Sequence, residues 1–126
     1  MAKAKALVAD GDFGFAEILC ARLAALGFET ITAGDGAEAL RLARGQMPQL
    51  LVADEGLAAI DGFKLCRLLK FDKQRAKITV VLTSATVTDE GRETAEAVRA
   101  NGFLPKQAEN EELLAIAQEL IAPKDA

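Results

Sequence analysis

Apolar residues along the chain follow two rhythms. Runs at Ala6–Ala9, Leu50–Ala53 and Ile78–Leu82 are short, bounded by polar residues and nearly unbroken. They read as strands buried on both faces, the pattern of a parallel sheet covered by helices. Glu29-Thr30-Ile31-Thr32-Ala33 alternates and predicts a more exposed second strand, while Phe103-Leu104 predicts a short fifth one running to Lys106. Between these runs the apolar residues recur at helical spacing. The sets are Phe15, Ile18, Leu19, Leu23 and Leu26, then Ala39, Leu40, Leu42 and Ala43, then Phe63, Leu65, Cys66, Leu68 and Leu69. Two more follow: Ala95, Val98 and Ala100, and Leu113, Ile116, Ala117 and Leu120.

The boundary residues agree with this division. Gly27 suits a left-handed cap closing the first helix, and Asp35 with Glu38 three residues on forms an Asp version of a capping box. Gly45 and Pro48 are expected to stop the second helix, and Asp61-Gly62 opens the third. A loop from Ala85 to Thr88 leads into the fourth helix, which Asn101-Gly102 ends; Glu109, Glu111 and Glu112 favour the positive end of the last helix. Five strands alternating with five helices predict a three-layer α/β domain with a parallel sheet and right-handed crossovers.

Composition narrows the class. A chain of 126 residues, 51% hydrophobic and 27% charged, is expected to fold as one domain over 1–122 with a short tail at 123–126. A chain of this size buries roughly 65–70% of the surface its unfolded form exposes, so it needs neither disulfide nor metal to fold. The net charge of -4 argues against a dedicated nucleic-acid binder. Cys20 and Cys66 form no CxxC pair and read as small thiols in a reducing compartment, and the absence of His argues against zinc. The N-terminal apolar run is too short for a signal sequence or membrane span, so a soluble, cytoplasmic protein is expected. Lys64, Arg67, Lys70, Lys73, Arg75 and Lys77, opposed only by Asp72, make a basic stretch. A phosphate- or nucleotide-binding face is conceivable there, but the more ordinary reading is a solvated helix face.

The chemistry gathers at the strand ends. Asp10 and Asp12 follow the first strand, Asp54 ends the third, Thr83 ends the fourth and Lys106 the fifth. In a parallel sheet these ends share one edge, where ligands bind. Carboxylates, a hydroxyl and an ammonium collected there suit phosphoryl transfer, in which acids hold a divalent cation while Lys and a hydroxyl stabilise the transferring oxygens. Singly, each reads as a cap or turn residue.

Taken together, Leu7-Val8-Ala9-Asp10, Pro48 to Asp54, Asp61-Gly62-Phe63, Val81-Leu82-Thr83-Ser84 and Gly102-Phe103-Leu104-Pro105-Lys106 resemble the response-regulator receiver family over nearly the whole chain. The resemblance implies a flavodoxin-like (βα)5 fold with strand order 2-1-3-4-5. It implies Asp54 as phosphoacceptor, Thr83 and Lys106 as phosphoryl-binding groups, and Phe103 as the switch aromatic. It implies Mg²⁺ on Asp10, Asp54 and the Gly56 carbonyl. The implied donor is a sensor histidine kinase or phosphotransfer protein. The implied output is contact of a downstream protein with the face of the fourth helix, fifth strand and fifth helix. On this reading the chain acts as a single-domain regulator and a phosphoacceptor, with no dedicated enzyme activity beyond self-dephosphorylation, and it contacts neither membrane nor nucleic acid.

Three departures accompany the match. Gly11 aligns with the usual second acid, which predicts a weakened metal site; Asp12 either replaces that acid or, the favoured reading, caps the first helix. Ala58 stands for a usual Pro, and Gln107 stands for the Pro after the Lys, removing the reason for a cis peptide there. Two alternatives stay open at this point. One is a degenerate receiver that binds partners without phosphorylation. The other rests on Asp10-Gly11-Asp12, which resembles the DxD opening of haloacid-dehalogenase-type phosphatases with Asp10 as nucleophile. A flavin-binding module fits less well, because the turn from Asp10 to Phe15 is acidic where a phosphate cradle needs bare backbone donors.

Overall fold

Leu50–Ala53 pairs in parallel with Ala6–Ala9 on one side and with Thr79–Leu82 on the other, which puts the most apolar run at the centre of the sheet. The computed structural model describes residues 3–122. Its elements are β1 (Lys5–Ala9), α1 (Phe13–Leu26), β2 (Glu29–Ala33), α2 (Gly36–Gln46) and β3 (Leu50–Asp54). They continue with α3 (Gly62–Lys70), β4 (Thr79–Ser84), α4 (Asp89–Ala97), β5 (Gly102–Pro105) and α5 (Glu111–Ile121). All four strand pairings are parallel and the order is β2-β1-β3-β4-β5, the flavodoxin-like arrangement expected.

Strand side chains alternate between faces, so the sheet divides the interior in two. Leu7, Leu51, Val80 and Leu82 pack with Ala39, Ala43, Leu65, Cys66, Leu69 and Ala95 beneath α2, α3 and α4. Val8, Leu50, Val52 and Val81 pack with Ala16, Leu19, Leu23, Leu113 and Ala117 beneath α1 and α5. At roughly 25 cal/mol per Å², a fully buried Leu or Val contributes about 1.5–3 kcal/mol, and these two layers hold most of them.

Several boundaries differ from the sequence reading. Gly45 lies inside α2; the helix is closed by Met47, which takes the left-handed conformation (φ 46) ahead of Pro48. The fourth helix ends at Ala97, so Ala100 lies beyond it and Arg99 makes the reversal (φ 64). Glu109 precedes α5, which Asn110 caps, and Glu109 pairs instead with Arg22 at 3.2 Å. Ile18 and Leu68, counted as core-facing, are 52% and 38% exposed. The tail at 123–126 lies outside the described residues.

The basic stretch divides by role. The Lys70 ammonium donates to the carbonyls of Ala76 and Ile78, closing the turn into β4, and Arg75 pairs with Asp72 at 3.0 Å. Arg67 stacks on Phe71, whose ring also carries Arg99 at 4.4 Å. Lys64, Lys73 and Lys77 remain exposed. Much of the stretch therefore serves the helix end itself.

Candidate functional site

The register that pairs Asp54 with Thr83 sets the site, because it places a carboxylate and a hydroxyl side by side at the carboxyl edge of β3 and β4. The Thr83 carbonyl accepts from the Glu55 N–H at 2.9 Å, tying the loop after β3 to the end of β4. That loop is held from below by two glycines. A Cβ on Gly62 would lie 2.4 Å from the Asp54 carbonyl oxygen, and one on Gly36 would lie 1.7 Å from that of Ile60. Both helix starts therefore approach backbone more closely than a side chain allows. Their N–H groups bond Glu55 and Ala58 carbonyls at 2.9 and 3.0 Å.

Asp10, one residue beyond β1, is buried; its Oδ1 accepts from the Lys106 ammonium at 2.9 Å and from the Asp12 N–H at 2.8 Å. Asp12 in turn caps α1, accepting from the Phe15 N–H at 3.1 Å. The capping role favoured from sequence is what its Oδ1 performs. Glu38 completes a variant of the capping box at α2: Asp35 accepts from the Glu38 N–H, while Glu38 reaches back to Gly34 one residue earlier than usual.

Burial pushes the Asp54 carboxyl above the usual carboxylate range, and the Asp10 charge adds to the rise; Lys106 and a hydrogen bond from the Gly56 N–H pull against it. For Lys106, burial alone would lower the pKa, but the Asp10 bond and the charges of Asp10, Asp54 and Asp12 together raise it. The ammonium also lies 5.0 Å from the centre of the Phe15 ring. Helical spacing marks Phe15 as a core residue; its place three residues after a cap at a strand end also puts it on the site's rim.

Two buried polar atoms in this cluster have no protein partner among the described residues: Asp10 Oδ2 and Thr83 Oγ1. An unpaired buried polar atom costs about 1–3 kcal/mol, so each calls for a partner other than a protein side chain or backbone group. Among the described residues no group of three or more Cys, Asp or Glu side chains is arranged to hold a metal. A free oxygen on Asp10 beside Asp54 nonetheless fits Mg²⁺, which takes one or two carboxylates and keeps several waters. Phe103 is buried, its ring 5.7 Å from that of Phe63 and against the backbone of Gly91, where a Cβ would come within 2.7 Å of it.

The sequence model of the response regulator receiver domain matches residues 6–118. The chain belongs to the response-regulator receiver family. This receiver domain is 30% identical over 119 residues to the "Probable transcriptional regulator ycf27" of Cyanophora paradoxa, covering 94% of this chain and 48% of that protein. It is 33% identical over 117 residues to the response regulator PleD of Caulobacter vibrioides, covering 93% of this chain and 26% of PleD. The chain thus spans about half the length, or less, of these curated relatives. Among solved structures, the receiver domain of a Francisella response regulator superposes with a TM-score of 0.81 at 28% identity, covering 93% of this chain and 95% of that one. The family is that of regulators in two-component signalling. Among the described residues no helix is long and apolar enough to cross a membrane.

Proposed function

We propose that this receiver domain accepts a phosphoryl group on Asp54 from the phosphohistidine of a sensor kinase or phosphotransfer protein. An Asp54 oxygen attacks phosphorus, the P–N bond breaks, and the imidazole leaves with its electron pair, giving an acyl phosphate. The observation that carries the reading is the unpaired, buried Thr83 hydroxyl beside Asp54 in register. Among the described residues that hydroxyl has no acceptor, and a phosphoryl oxygen would supply one.

The Lys106 ammonium, now bonded to Asp10, is the second donor for that phosphoryl group. Mg²⁺ bound by Asp10, Asp54 and the Gly56 carbonyl would neutralise the incoming oxygens. Two carboxylates make it a thin site; Gly11 leaves out the acid that would make a third. Loss of a ligand itself should weaken the metal by more than the roughly 10–100-fold typical of losing an outer partner. Drawing Thr83 onto the phosphate would open space for the Phe103 ring. That ring lines an open groove of about 660 Å³ between α4, β5 and α5, together with Arg92, Glu96, Glu112 and Ile116. This is the face we assign to a downstream protein.

Intact-mass measurement after acetyl phosphate and Mg²⁺ tests the proposal. A single phosphoryl adduct is expected on the wild type and none on Asp54→Asn. If the wild type takes no adduct while Gly11→Asp does, the domain is a binding module that works without phosphorylation.

A further inference from the structure

We propose that Phe15 is a positioning residue for Lys106, holding the ammonium at the mouth of the site through the face of its ring. The inference deepens the phosphoacceptor reading and rests on it where transfer rates are concerned.

Four residues form a closed circuit across two strand ends and a helix start. Asp10 Oδ1 holds both the Asp12 N–H (2.8 Å) and the Lys106 ammonium (2.9 Å), Asp12 Oδ1 holds the Phe15 N–H (3.1 Å), and the Phe15 ring faces the Lys106 ammonium at 5.0 Å. Asp12, which sequence alone left between a metal ligand and a cap, thereby fixes the backbone from which the ring projects. Nothing in this circuit depends on a second acid at position 11.

The chemistry of lysine makes such a brace useful. An ammonium is a point charge on a flexible four-carbon stem with three donors, and immobilising it is costly in rotamer entropy. One donor is used on Asp10. The ring's electron-rich face accepts the charge from another side, and Asp54 acts on it through space. Lys106 side-chain exposure is only 20%, so the attraction is less diluted by water than at an open surface. The ammonium is thus kept within reach of a phosphoryl group before one arrives.

The test is NMR relaxation of the Lys106 side chain in the unphosphorylated protein, combined with phosphorylation kinetics using acetyl phosphate and Mg²⁺. Phe15→Leu retains an apolar side chain on the α1 core; Phe15→Trp and Phe15→Tyr retain a ring. The expected result is an ordered, ring-current-shifted Lys106 ε-methylene in the wild type and the two aromatic variants, with disorder in Phe15→Leu. The maximal phosphorylation rate should fall roughly 2–10-fold in Phe15→Leu, the range of one cation–π contact. Half-saturation by acetyl phosphate should change little, and the ring-bearing variants should recover the rate. Equal Lys106 order in wild type and Phe15→Leu overturns the inference whatever the rates do, and lost order with an unchanged maximal rate overturns its bearing on transfer. Absence of any adduct on wild-type Asp54 overturns the phosphoacceptor reading instead, while the relaxation data still decide the role of Phe15.

Discussion

The ammonium of Lys106 rests on Asp10, 2.9 Å from Oδ1, while Asp54 feels the same charge only through space. In the resting domain the cation therefore neutralises the deeper of the two acids. Its neighbour Asp54 keeps a carboxylate that is half-buried and raised in pKa.

Removing the cation exposes what it compensates. Lys106→Met leaves the Asp10 carboxylate buried with only the Asp12 N–H for company. The expected loss is about 1–3 kcal/mol, below the roughly 3–5 of a fully enclosed pair because Lys106 is 20% exposed. Urea unfolding at pH 7 measures it, and a loss below 0.5 kcal/mol, roughly the scale of a surface pair, would contradict the pairing.

Asp54→Asn should act in the opposite direction. Its carboxyl has a higher pKa folded than unfolded, so the folded state binds the extra proton, and ionising Asp54 costs stability as pH rises past the ordinary carboxylate value of about 3.9. At pH 7 the Asn variant should be more stable than wild type by about 0.5–1 kcal/mol, the scale of a partly solvated charge interaction. The gain should shrink toward zero below about pH 4. Thermal melts across pH 3–7 follow the convergence.

A pair of glycine replacements separates fit from propensity. Gly45, inside α2, has open space around its Cβ position, so Gly45→Ala should stabilise by about 0.5–1 kcal/mol. Gly62→Ala drives a methyl into the Asp54 carbonyl and should destabilise by about 1–3 kcal/mol. Since the displaced backbone carries Asp54, acetyl-phosphate labelling should slow in the second variant alone.

Gly91→Ala tests the seat of Phe103. The substitution adds helix propensity but puts a methyl 2.7 Å from the ring, so the ring must leave its place against Phe63. Loss of Phe63–Phe103 proton contacts in NMR spectra is the expected outcome, with stability changed by less than about 2 kcal/mol.

Cysteine chemistry gives an independent check on the core. Burial pushes the Cys66 thiol up to about 11, with Lys70 opposing, and Cys20 is raised by burial against a Thr30 hydrogen bond. A thiol pKa higher folded than unfolded means stability falls as pH climbs above about 8.5, where the unfolded thiol ionises. Iodoacetamide at pH 8 should label Cys20 slowly, and Cys66 only once urea unfolds the domain.

How much could be read from sequence depended on how one-sided each segment is. The three buried strands have no polar alternative, and their ends followed directly, as did the caps Asp12, Asp35 and Asp61. The face of α1 did not follow, because FGFAEILCARLAAL carries only two charges, Glu17 and Arg22, among apolar residues on every side; the buried set is Ala16, Leu19 and Leu23, with Ile18 outside. The end of α2 departs from the expected stop at Gly45 because Met47 takes the left-handed turn. In the site, Asp10, Asp54, Thr83 and Lys106 come together as their strand ends require. The roles of the Phe15 ring and the two clamping glycines are not legible in the sequence, since contacts between separate helices and loops leave no mark on local pattern.

The backbone of Gly11 is exposed, and a Cβ there would meet nothing closer than the Gly34 carbonyl at 3.7 Å, an ordinary contact. No packing constraint selects glycine at this position. The cost of an acid at position 11 is therefore set by charge, a further carboxylate next to Asp10, and not by any repacking of the fold.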